Sequence, residues 1–254
     1  YGMHWPYKQH KTSRNIKILP HHDLLKGFGA CFGVSAGYER PMWFALDGEK
    51  TEYQYSYNYQ NWYPAVEYET SNTLNNLGLF DLTPFSKFDL KGEGSFDELQ
   101  RICTANIKSI NGKTTYTQIL NKDGGIEIDC TVVCLEKNYF RIISSAATRE
   151  RDKFFILNNI SKDIIFEDVT DKYCCLGVFG PKSRDLLSKI SQDNYSNENF
   201  KFGTGKFVKI NDMKVWAQRL SYVGEIGFEL YIETTHAKHL YKAIVEEGNN
   251  HHLT

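Results

Sequence analysis

The chain has 254 residues, of which 41% are hydrophobic and 24% are charged, and its formal net charge at pH 7 is −1. This composition is ordinary for a globular protein with a sizeable core, and the near-neutral balance excludes a strong basic field for nucleic acid or an anionic membrane. No apolar run approaches the roughly 18 residues that a membrane span requires, so we expect neither a nucleic-acid nor a membrane partner.

The first quarter of the chain combines an irregular start with aromatic patterning. Residues 1–20 are polar, aromatic and punctuated by proline, which predicts an extended arm or linker. A short helix is predicted over residues 23–28, and glycines then interrupt the chain repeatedly. Tyrosines alternate strictly over residues 52–60, which is the period of a strand with one aromatic face. Such a face can stack bases or sugars, but we favour a place in the core, where aromatic strand residues are commonly found.

Helices and strands alternate over the rest of the chain. A capping box at Ser95 and Glu98 opens one helix, and the turns Gly124-Gly125 and Asn211-Asp212 join strand pairs. In chain order we predict a helix at 65–77, strands at 79–82 and 87–91, a helix from 95, strands at 115–120, 126–134 and 139–144, a helix at 152–159, a strand at 176–179, a helix from 180, strands at 206–210, 214–218 and 227–232, and a helix at 235–247. This order predicts an α+β fold with mixed or antiparallel sheets, flanking helices and no internal repeat.

The cysteines and histidines give no metal or disulfide pattern. Six cysteines occur, with Cys174 and Cys175 adjacent and no pair at C-x-x-C spacing, which argues against a secreted disulfide framework or a zinc ribbon. The pattern favours a reducing compartment, the cytoplasm or the mitochondrial matrix in a eukaryote. His236 and His239 have helical spacing without an acidic or Cys partner, so we predict no metal site.

Two segments carry polar residues that could do chemistry. Gly124 and Gly125 permit a tight turn that a ligand can approach, and Glu127 and Asp129 share one face of the strand that follows. Residues 219–229 place two glycines and two acids around a tyrosine, in a loop of the kind where binding residues collect. Both acid-bearing segments can equally face water, which is where strand-borne acids are most often found.

Four segments, taken together, resemble the glycine-cleavage aminomethyltransferase (T-protein) family. Each is weak alone, but all four occur in the family's order and spacing, and the similarity runs from about Leu19 to the end. They are Asp81-Leu82-Thr83-Pro84-Phe85-Ser86-Lys87-Phe88, the strand Thr115-Tyr116-Thr117 with the hairpin Gly124-Gly125-Ile126-Glu127-Ile128-Asp129, the helix start Gly180-Pro181-Lys182-Ser183, and Tyr222-Val223-Gly224-Glu225-Ile226-Gly227-Phe228-Glu229.

Two further segments point to one subgroup of that family. Residues 1–6 and 37–44 resemble the junction in sarcosine and dimethylglycine dehydrogenases, where a flavin-binding half precedes the folate half. The resemblance implies that residues 1–18 are a linker or arm from an absent flavin domain. Residues 19–254 would then be the folate-binding, aminomethyltransferase-like region of two subdomains, without the family's usual C-terminal β-rich domain. No G-x-G-x-x-G segment occurs, so FAD would bind only in the absent upstream domain.

The resemblance also implies roles for individual residues. Asp129 would be the catalytic acid beside the reacting nitrogens of tetrahydrofolate, and Glu229 would accept hydrogen bonds from the pterin N–H groups. Tyr116 and Tyr222 would form aromatic walls. Two further expected cofactor-binding residues are Glu225 and Gly125.

The function that this resemblance implies is tetrahydrofolate-dependent one-carbon transfer. The module would capture carbon released by oxidative N-demethylation of sarcosine or dimethylglycine as 5,10-methylenetetrahydrofolate, with a flavin dehydrogenase domain in cis. The alternatives are a free-standing aminomethyltransferase of glycine cleavage, a methyl-transferring demethylase, or a non-catalytic folate-binding factor of iron–sulfur assembly. The last typically carries a K-G-C-x-x-G-Q-E segment, and the corresponding residues 221–225 contain no Cys.

Overall fold

The computed structural model describes residues 8–254. The predicted junction segment at residues 1–6 therefore lies outside the described residues. The helices of the described part are α1 (His22–Gly27), α2 (Tyr63–Asn75), α3 (Ser95–Ile102), α4 (Arg149–Asn159), α5 (Ser183–Ile190) and α6 (Ala237–Gly248). Its strands are β1 (Ala30–Ser35), β2 (Tyr38–Phe44), β3 (Gly78–Asp81), β4 (Ser86–Lys91), β5 (Thr114–Leu120), β6 (Ile126–Glu136), β7 (Tyr139–Ser144), β8 (Ile165–Asp168), β9 (Tyr173–Phe179), β10 (Gly205–Ile210), β11 (Met213–Gln218) and β12 (Gly227–Glu233).

The strands form one hairpin and two five-stranded sheets, and every pairing between these strands is antiparallel. The first large sheet has the order β5-β6-β7-β4-β8, and the second has the order β10-β11-β12-β9-β3. The predicted α+β class with antiparallel sheets and flanking helices is thereby confirmed.

The two large sheets repeat one topology, which the sequence analysis did not predict. The order β3-β4-α3-β5-β6-β7-α4 is followed by the same order in β8-β9-α5-β10-β11-β12-α6. Each half places its first strand in the other half's sheet, since β3 pairs with β9 and β8 pairs with β4. The prediction of no internal repeat was wrong. The two halves are alike in the order and pairing of their elements, which the sequence does not display. One trace of it is local: Gly92 and Gly180 both have positive φ, and each precedes by three residues a buried serine that begins a helix, Ser95 or Ser183.

The two halves bury separate cores and meet between the sheets. Leu99 of α3 and Ile156 of α4 pack on the first sheet, whereas Leu186 of α5 and Leu240 of α6 pack on the second. The two sheets touch through a third apolar cluster whose buried members come from both: Val133, Ile143, Cys175, Trp216 and Tyr231. This contact leaves cavities on either side of it, and the candidate site is one of them.

The hairpin β5–β6 forms where the two glycines predicted it. Asn121 closes the turn, because its Oδ1 accepts hydrogen bonds from the backbone N–H groups of Asp123 (3.0 Å) and Gly125 (2.8 Å). Gly124 has a φ of 81°, a conformation that glycine adopts without a Cβ penalty. The tight turn fixes the register in which Gln118 lies opposite Asp129.

Residues 8–18 form no helix or extended strand, but they are held against the β1–β2 hairpin. Arg14 makes two hydrogen bonds to the carboxylate of Glu39, Nε to Oε1 at 2.6 Å and Nη2 to Oε2 at 2.8 Å. Ile18 forms an isolated parallel bridge with Glu39. The described part of the predicted arm is thus an ordered segment of the fold.

The predicted strand over residues 52–60 was wrong. The segment is irregular: the rings of Tyr53 and Tyr55 stack with centroids 5.7 Å apart and pack on Trp62, while Tyr57 and Tyr59 are exposed. Alternation produces a strand only where a neighbouring strand supplies ladder hydrogen bonds, and no strand among residues 8–254 pairs with this segment. The actual hairpin in this region, β1–β2, was missed because its glycines were interpreted as chain breaks.

Candidate functional site

Two adjoining cavities lie between the sheets, on one side of the apolar contact. The larger, which we call the Asp129 chamber, has a volume of about 340 Å³. The smaller, which we call the Glu229 cleft, has a volume of about 20 Å³. They share four lining residues: Phe85, Thr131, Ile143 and Tyr222. Because Thr131 and Ile143 belong to one sheet and Tyr222 precedes β12 of the other, the space depends on both halves.

Asp129 lies on the strand face that lines the chamber, not the core. Its strand neighbours Ile128 and Cys130 are buried in the core of the first sheet, so the alternation of β6 turns Asp129 the other way. Its Oδ1 accepts a hydrogen bond of 3.0 Å from Nε2 of Gln118. A hydrogen bond to Asp129 also raises the pKa of the Tyr116 phenol. The acid is therefore accessible and oriented by two partners, which suits proton transfer at the chamber surface.

Glu229 is a buried carboxylate at the floor of the cleft, with only 5% of the residue exposed. Its Oε2 accepts hydrogen bonds from the Tyr231 hydroxyl at 2.6 Å and from Nε2 of Gln218 at 3.3 Å. Gln218 is itself fixed, because its Oε1 accepts the indole N–H of Trp216 at 3.1 Å. Burial raises the pKa of Glu229 in spite of these donors. The hydrogen bonds that Glu229 accepts from the described residues all reach Oε2, which leaves Oε1 for a ligand.

Four of the six predicted site residues come together. Tyr116 and Asp129 line the chamber, Glu229 lines the cleft, and Tyr222, which is 69% exposed, lines both. The exposed residues Glu225 and Gly125 line neither cavity. Gly125 forms the turn that Asn121 closes, and the cofactor-binding roles of both residues stay predictions.

Several lining residues were not singled out from the sequence. Thr131 lies two positions after Asp129 on the same strand face, so strand periodicity could have identified it. Phe85 was quoted within a motif but given no role. Arg151 comes from α4 and reaches the chamber through the fold alone; the other unassigned polar residues of the chamber are Ser144, Ser145 and Thr148.

A larger cavity, of about 420 Å³, lies on the other side of the apolar contact and shares only Tyr231 with the cleft. It is lined by aromatic residues and by Arg141, whose guanidinium is bound to Asp89 at 2.7 and 3.0 Å. None of the predicted site residues lines it, so we place the candidate site in the chamber and cleft despite the difference in volume.

The described residues contain no group of three or more His, Cys, Asp or Glu side chains that could hold a metal ion. All six cysteines, which fall within residues 8–254, are buried and free. No helix in the described part of the chain is long and apolar enough to cross a membrane.

Comparison with known proteins identifies the family to which the chain belongs. Residues 21–254 match the model of the GCVT N-terminal domain. The chain is 36% identical over 252 residues to 4-methylaminobutanoate oxidase (formaldehyde-forming) of Paenarthrobacter nicotinovorans, covering 98% of this chain and 30% of that protein. It is 33% identical over 219 residues to the mitochondrial dimethylglycine dehydrogenase of Rattus norvegicus, covering 85% of this chain and 25% of that protein. The chain thus spans less than a third of either relative.

A solved structure shows the same fold. The aminomethyltransferase T of the glycine cleavage system from Bartonella henselae superposes with a TM-score of 0.74 at 21% identity, covering 91% of this chain and 57% of that one. The expected aminomethyltransferase-like fold is thereby confirmed.

Proposed function

The chain belongs to the family of the GCVT N-terminal domain, and from this membership we propose that it is a tetrahydrofolate-dependent one-carbon transfer module. In this proposal it captures carbon released by oxidative N-demethylation of a methylated glycine, sarcosine or dimethylglycine, as 5,10-methylenetetrahydrofolate. The observation that carries the proposal is the meeting of Asp129 and Glu229, from different sheets, at two adjoining cavities walled by Tyr222.

The hydrogen-bond acceptor and the volumes of the site suit a pterin. A chamber of about 340 Å³ is within the range of roughly 300 to 1,000 Å³ for small-molecule pockets. The cleft of about 20 Å³ has room for little more than a water-sized group, so it would admit only the edge of a ring. Glu229 would accept N–H groups of that edge at Oε1, because this oxygen receives no hydrogen bond from the described residues and its two lone pairs are both acceptors. Tyr222 and Tyr116 would flank the ring and the linker beyond it.

Asp129 would serve the transfer step. Tetrahydrofolate supplies the nitrogens N5 and N10, to which the one-carbon unit becomes attached. Asp129 would stabilise positive charge on the incoming iminium or formaldehyde equivalent and take up the proton that the attacking nitrogen loses. Gln118 and Tyr116 would keep its carboxylate oriented. Holding both partners in one chamber would contribute through effective molarity.

The carbon donor would be made elsewhere in the complete protein. We place a flavin dehydrogenase domain, with FAD, upstream in cis, in keeping with relatives that are three to four times longer than the matched region. The complete protein would work in the cytoplasm, or in the mitochondrial matrix of a eukaryote. The fold also occurs in an aminomethyltransferase T of the glycine cleavage system. Under the alternative of a free-standing aminomethyltransferase, the chain would instead take its carbon from an aminomethyl group.

A second candidate concerns the fate of the carbon. The relative with 36% identity is named for 4-methylaminobutanoate and for formaldehyde formation. Under this alternative the complete protein would oxidise a longer methylated amino acid and release formaldehyde, and the folate site would contribute little to turnover.

The experiment follows the carbon in the complete protein. Turnover of sarcosine, dimethylglycine and 4-methylaminobutanoate is measured with and without tetrahydrofolate, and formaldehyde and 5,10-methylenetetrahydrofolate are quantified. The proposal expects tetrahydrofolate to divert most of the carbon from formaldehyde. Asp129→Asn should lower that diversion by about 10²- to 10⁴-fold, the usual contribution of acid–base catalysis, without slowing amine oxidation. Glu127→Gln, on the same strand face, is the matched control and should divert carbon normally. Equal formaldehyde yields with and without tetrahydrofolate would reject the proposal.

A further inference from the structure

Lys87 is a fully buried lysine beside the Glu229 cleft. Its relative exposure is 0%, whereas lysines are almost never fully buried unless they are paired. Its Nζ donates hydrogen bonds to the backbone carbonyls of Thr83 at 2.9 Å and Phe85 at 2.8 Å. Both acceptors belong to residues 82–85, the segment that crosses from β3 of one sheet to β4 of the other. Leu82 and Phe85 of this segment line the cleft together with Glu229.

The charge of Lys87 has no carboxylate as a hydrogen-bond partner among residues 8–254. The titratable groups that influence it come from several elements: the thiols of Cys174 and Cys175, the guanidinium of Arg141 and the carboxylate of Asp81. Burial lowers the pKa of its ammonium group to about 8. The ammonium in turn opposes the effect of burial on Glu229, since its charge lowers the pKa of that carboxyl. The remaining groups that act on Glu229 are Tyr231 and Gln218.

We infer that Lys87 is a positioning residue of the folate site, whose buried positive charge stabilises the Glu229 carboxylate and whose hydrogen bonds hold the cleft wall at residues 82–85. The role in ligand binding rests on the proposed function. The electrostatic link between the two side chains can be measured without any ligand.

A role beside Glu229 accounts for the burial of a cation at position 87. A buried charge without a bonded counter-ion is costly, and an apolar residue of similar length would fill the same space. A carboxylate that must accept two pterin N–H groups has to be ionised, because the protonated form offers one acceptor fewer. Tyr231 and Gln218 each provide a hydrogen bond to Glu229, and Lys87 adds a fixed positive charge. The favourable window therefore lies above the pH at which Glu229 ionises, which burial raises, and below about pH 8, where Lys87 is charged.

The ligand-free test is an NMR titration of the chain labelled at glutamate carboxyl carbons, with the Glu229 signal assigned from a Glu229→Gln sample. Lys87→Met should move the Glu229 titration midpoint upward, because a positive charge that favours the ionised carboxylate has gone. Lys91→Met, which removes a surface lysine from the same strand, is the matched control and should leave it in place. An unchanged midpoint in Lys87→Met overturns the inference.

The reciprocal titration does not require the Lys87 variant to fold. With lysine labelled at Cε, Lys87 should titrate near pH 8 in the native chain and at lower pH in Glu229→Gln, because a favourable negative charge has gone. Equal Lys87 midpoints in the two proteins would contradict the electrostatic link, whatever the fate of Lys87→Met.

The binding arm separates this inference from the proposed function. Tetrahydrofolate affinity is measured from pH 6 to pH 8.5. Lys87→Met should bind more weakly than the native chain at the acid end and should approach the native affinity near pH 8.5, where most of native Lys87 has lost its charge. Equal weakening at every pH would indicate a structural role only and reject the inference. No binding by the native chain at any pH would reject the proposed function. The NMR titrations would then decide by themselves whether Lys87 and Glu229 interact electrostatically.

Discussion

Asp89→Asn tests whether the first sheet depends on one buried ion pair. Asp89 of β4 and Arg141 of β7 are register partners, with side chains 1% and 5% exposed. Both carboxylate oxygens receive guanidinium N–H groups, at 2.7 and 3.0 Å, and Tyr139 donates to the same carboxylate at 2.6 Å. A guanidinium is not deprotonated in proteins, so Arg141 stays charged and buried in the variant.

The cost follows from leaving that charge without its partner. Breaking a buried ion pair by removing one side typically costs about 3 to 5 kcal/mol. For a chain of this size, 1 kcal/mol lowers the melting temperature by roughly 2 to 4 °C, so a loss of about 6 to 20 °C is expected. Urea unfolding followed by circular dichroism gives the free energy, and an unchanged denaturant slope confirms that the same structure unfolds.

The control is an ion pair of the same chemistry on the surface. Asp212 lies 3.1 Å from Lys209 with its side chain fully exposed, and exposed pairs contribute about 0 to 1 kcal/mol. Asp212→Asn should therefore change stability by less than about 1 kcal/mol. A loss in Asp89→Asn no greater than in Asp212→Asn would refute the reasoning, because the pair would then have no special dependence on burial.

Two further predictions concern the site. Burial raises the pKa of Glu229, so the folded chain holds this proton to higher pH than the unfolded chain, and the stability it contributes at acid pH is lost as pH rises through the folded value. Urea unfolding of the native chain and of Glu229→Gln from pH 4 to pH 8 should show the native chain losing stability relative to the variant; a constant difference would contradict this. Tyr222 is 69% exposed, so Tyr222→Ala should change stability by no more than about 0.5 kcal/mol. The same variant should weaken tetrahydrofolate binding by up to roughly tenfold, the value of an aromatic contact, and isothermal calorimetry that finds native affinity would remove Tyr222 from the site.

Local signals in the sequence were sufficient for much of the fold. The β5–β6 hairpin was predicted because two glycines permit the turn and apolar alternation fixes which face is buried. The helix α3 was predicted from a capping box at Ser95 and Glu98. It begins at Ser95, but the capping box itself was wrong, because Gly94 is the N-cap and no side chain caps the helix. Each of these elements is determined by neighbours within a few positions, which a single sequence displays.

Long-range pairing was the part that the sequence did not reveal. The strand exchange between the halves depends on β3 meeting β9 and β8 meeting β4, and no local pattern encodes a partner some 90 residues away. The same limit explains the wrong strand at residues 52–60, with which no strand in the described part of the chain pairs. Chamber residues such as Arg151, which α4 brings to the site, cannot be identified from the sequence for the same reason.

The site was predicted only in part by the residues themselves. Spacing placed Asp129 and Glu127 on one strand face but could not decide between solvent and pocket, and the resemblance to the T-protein family favoured Asp129. Both acids line the chamber, and Glu229, which the resemblance also implied, lines the adjoining cleft. Lys87 stood in a quoted motif without a role, because burial beneath a neighbouring strand cannot be inferred from its position in the sequence.

The most direct test of the account is calorimetric titration of tetrahydrofolate into this chain, the Glu229→Gln variant and the Glu233→Gln variant. Glu233 lies on the same strand as Glu229 but is exposed and lines neither cavity, which makes it the matched control. We predict that the native chain and Glu233→Gln bind alike. Glu229→Gln should bind roughly ten- to a hundredfold more weakly, since one charge-assisted hydrogen bond is worth about 1.5 to 3 kcal/mol. Equal affinity in all three proteins, or a loss confined to Glu233→Gln, would contradict the assignment of a folate site at the Glu229 cleft.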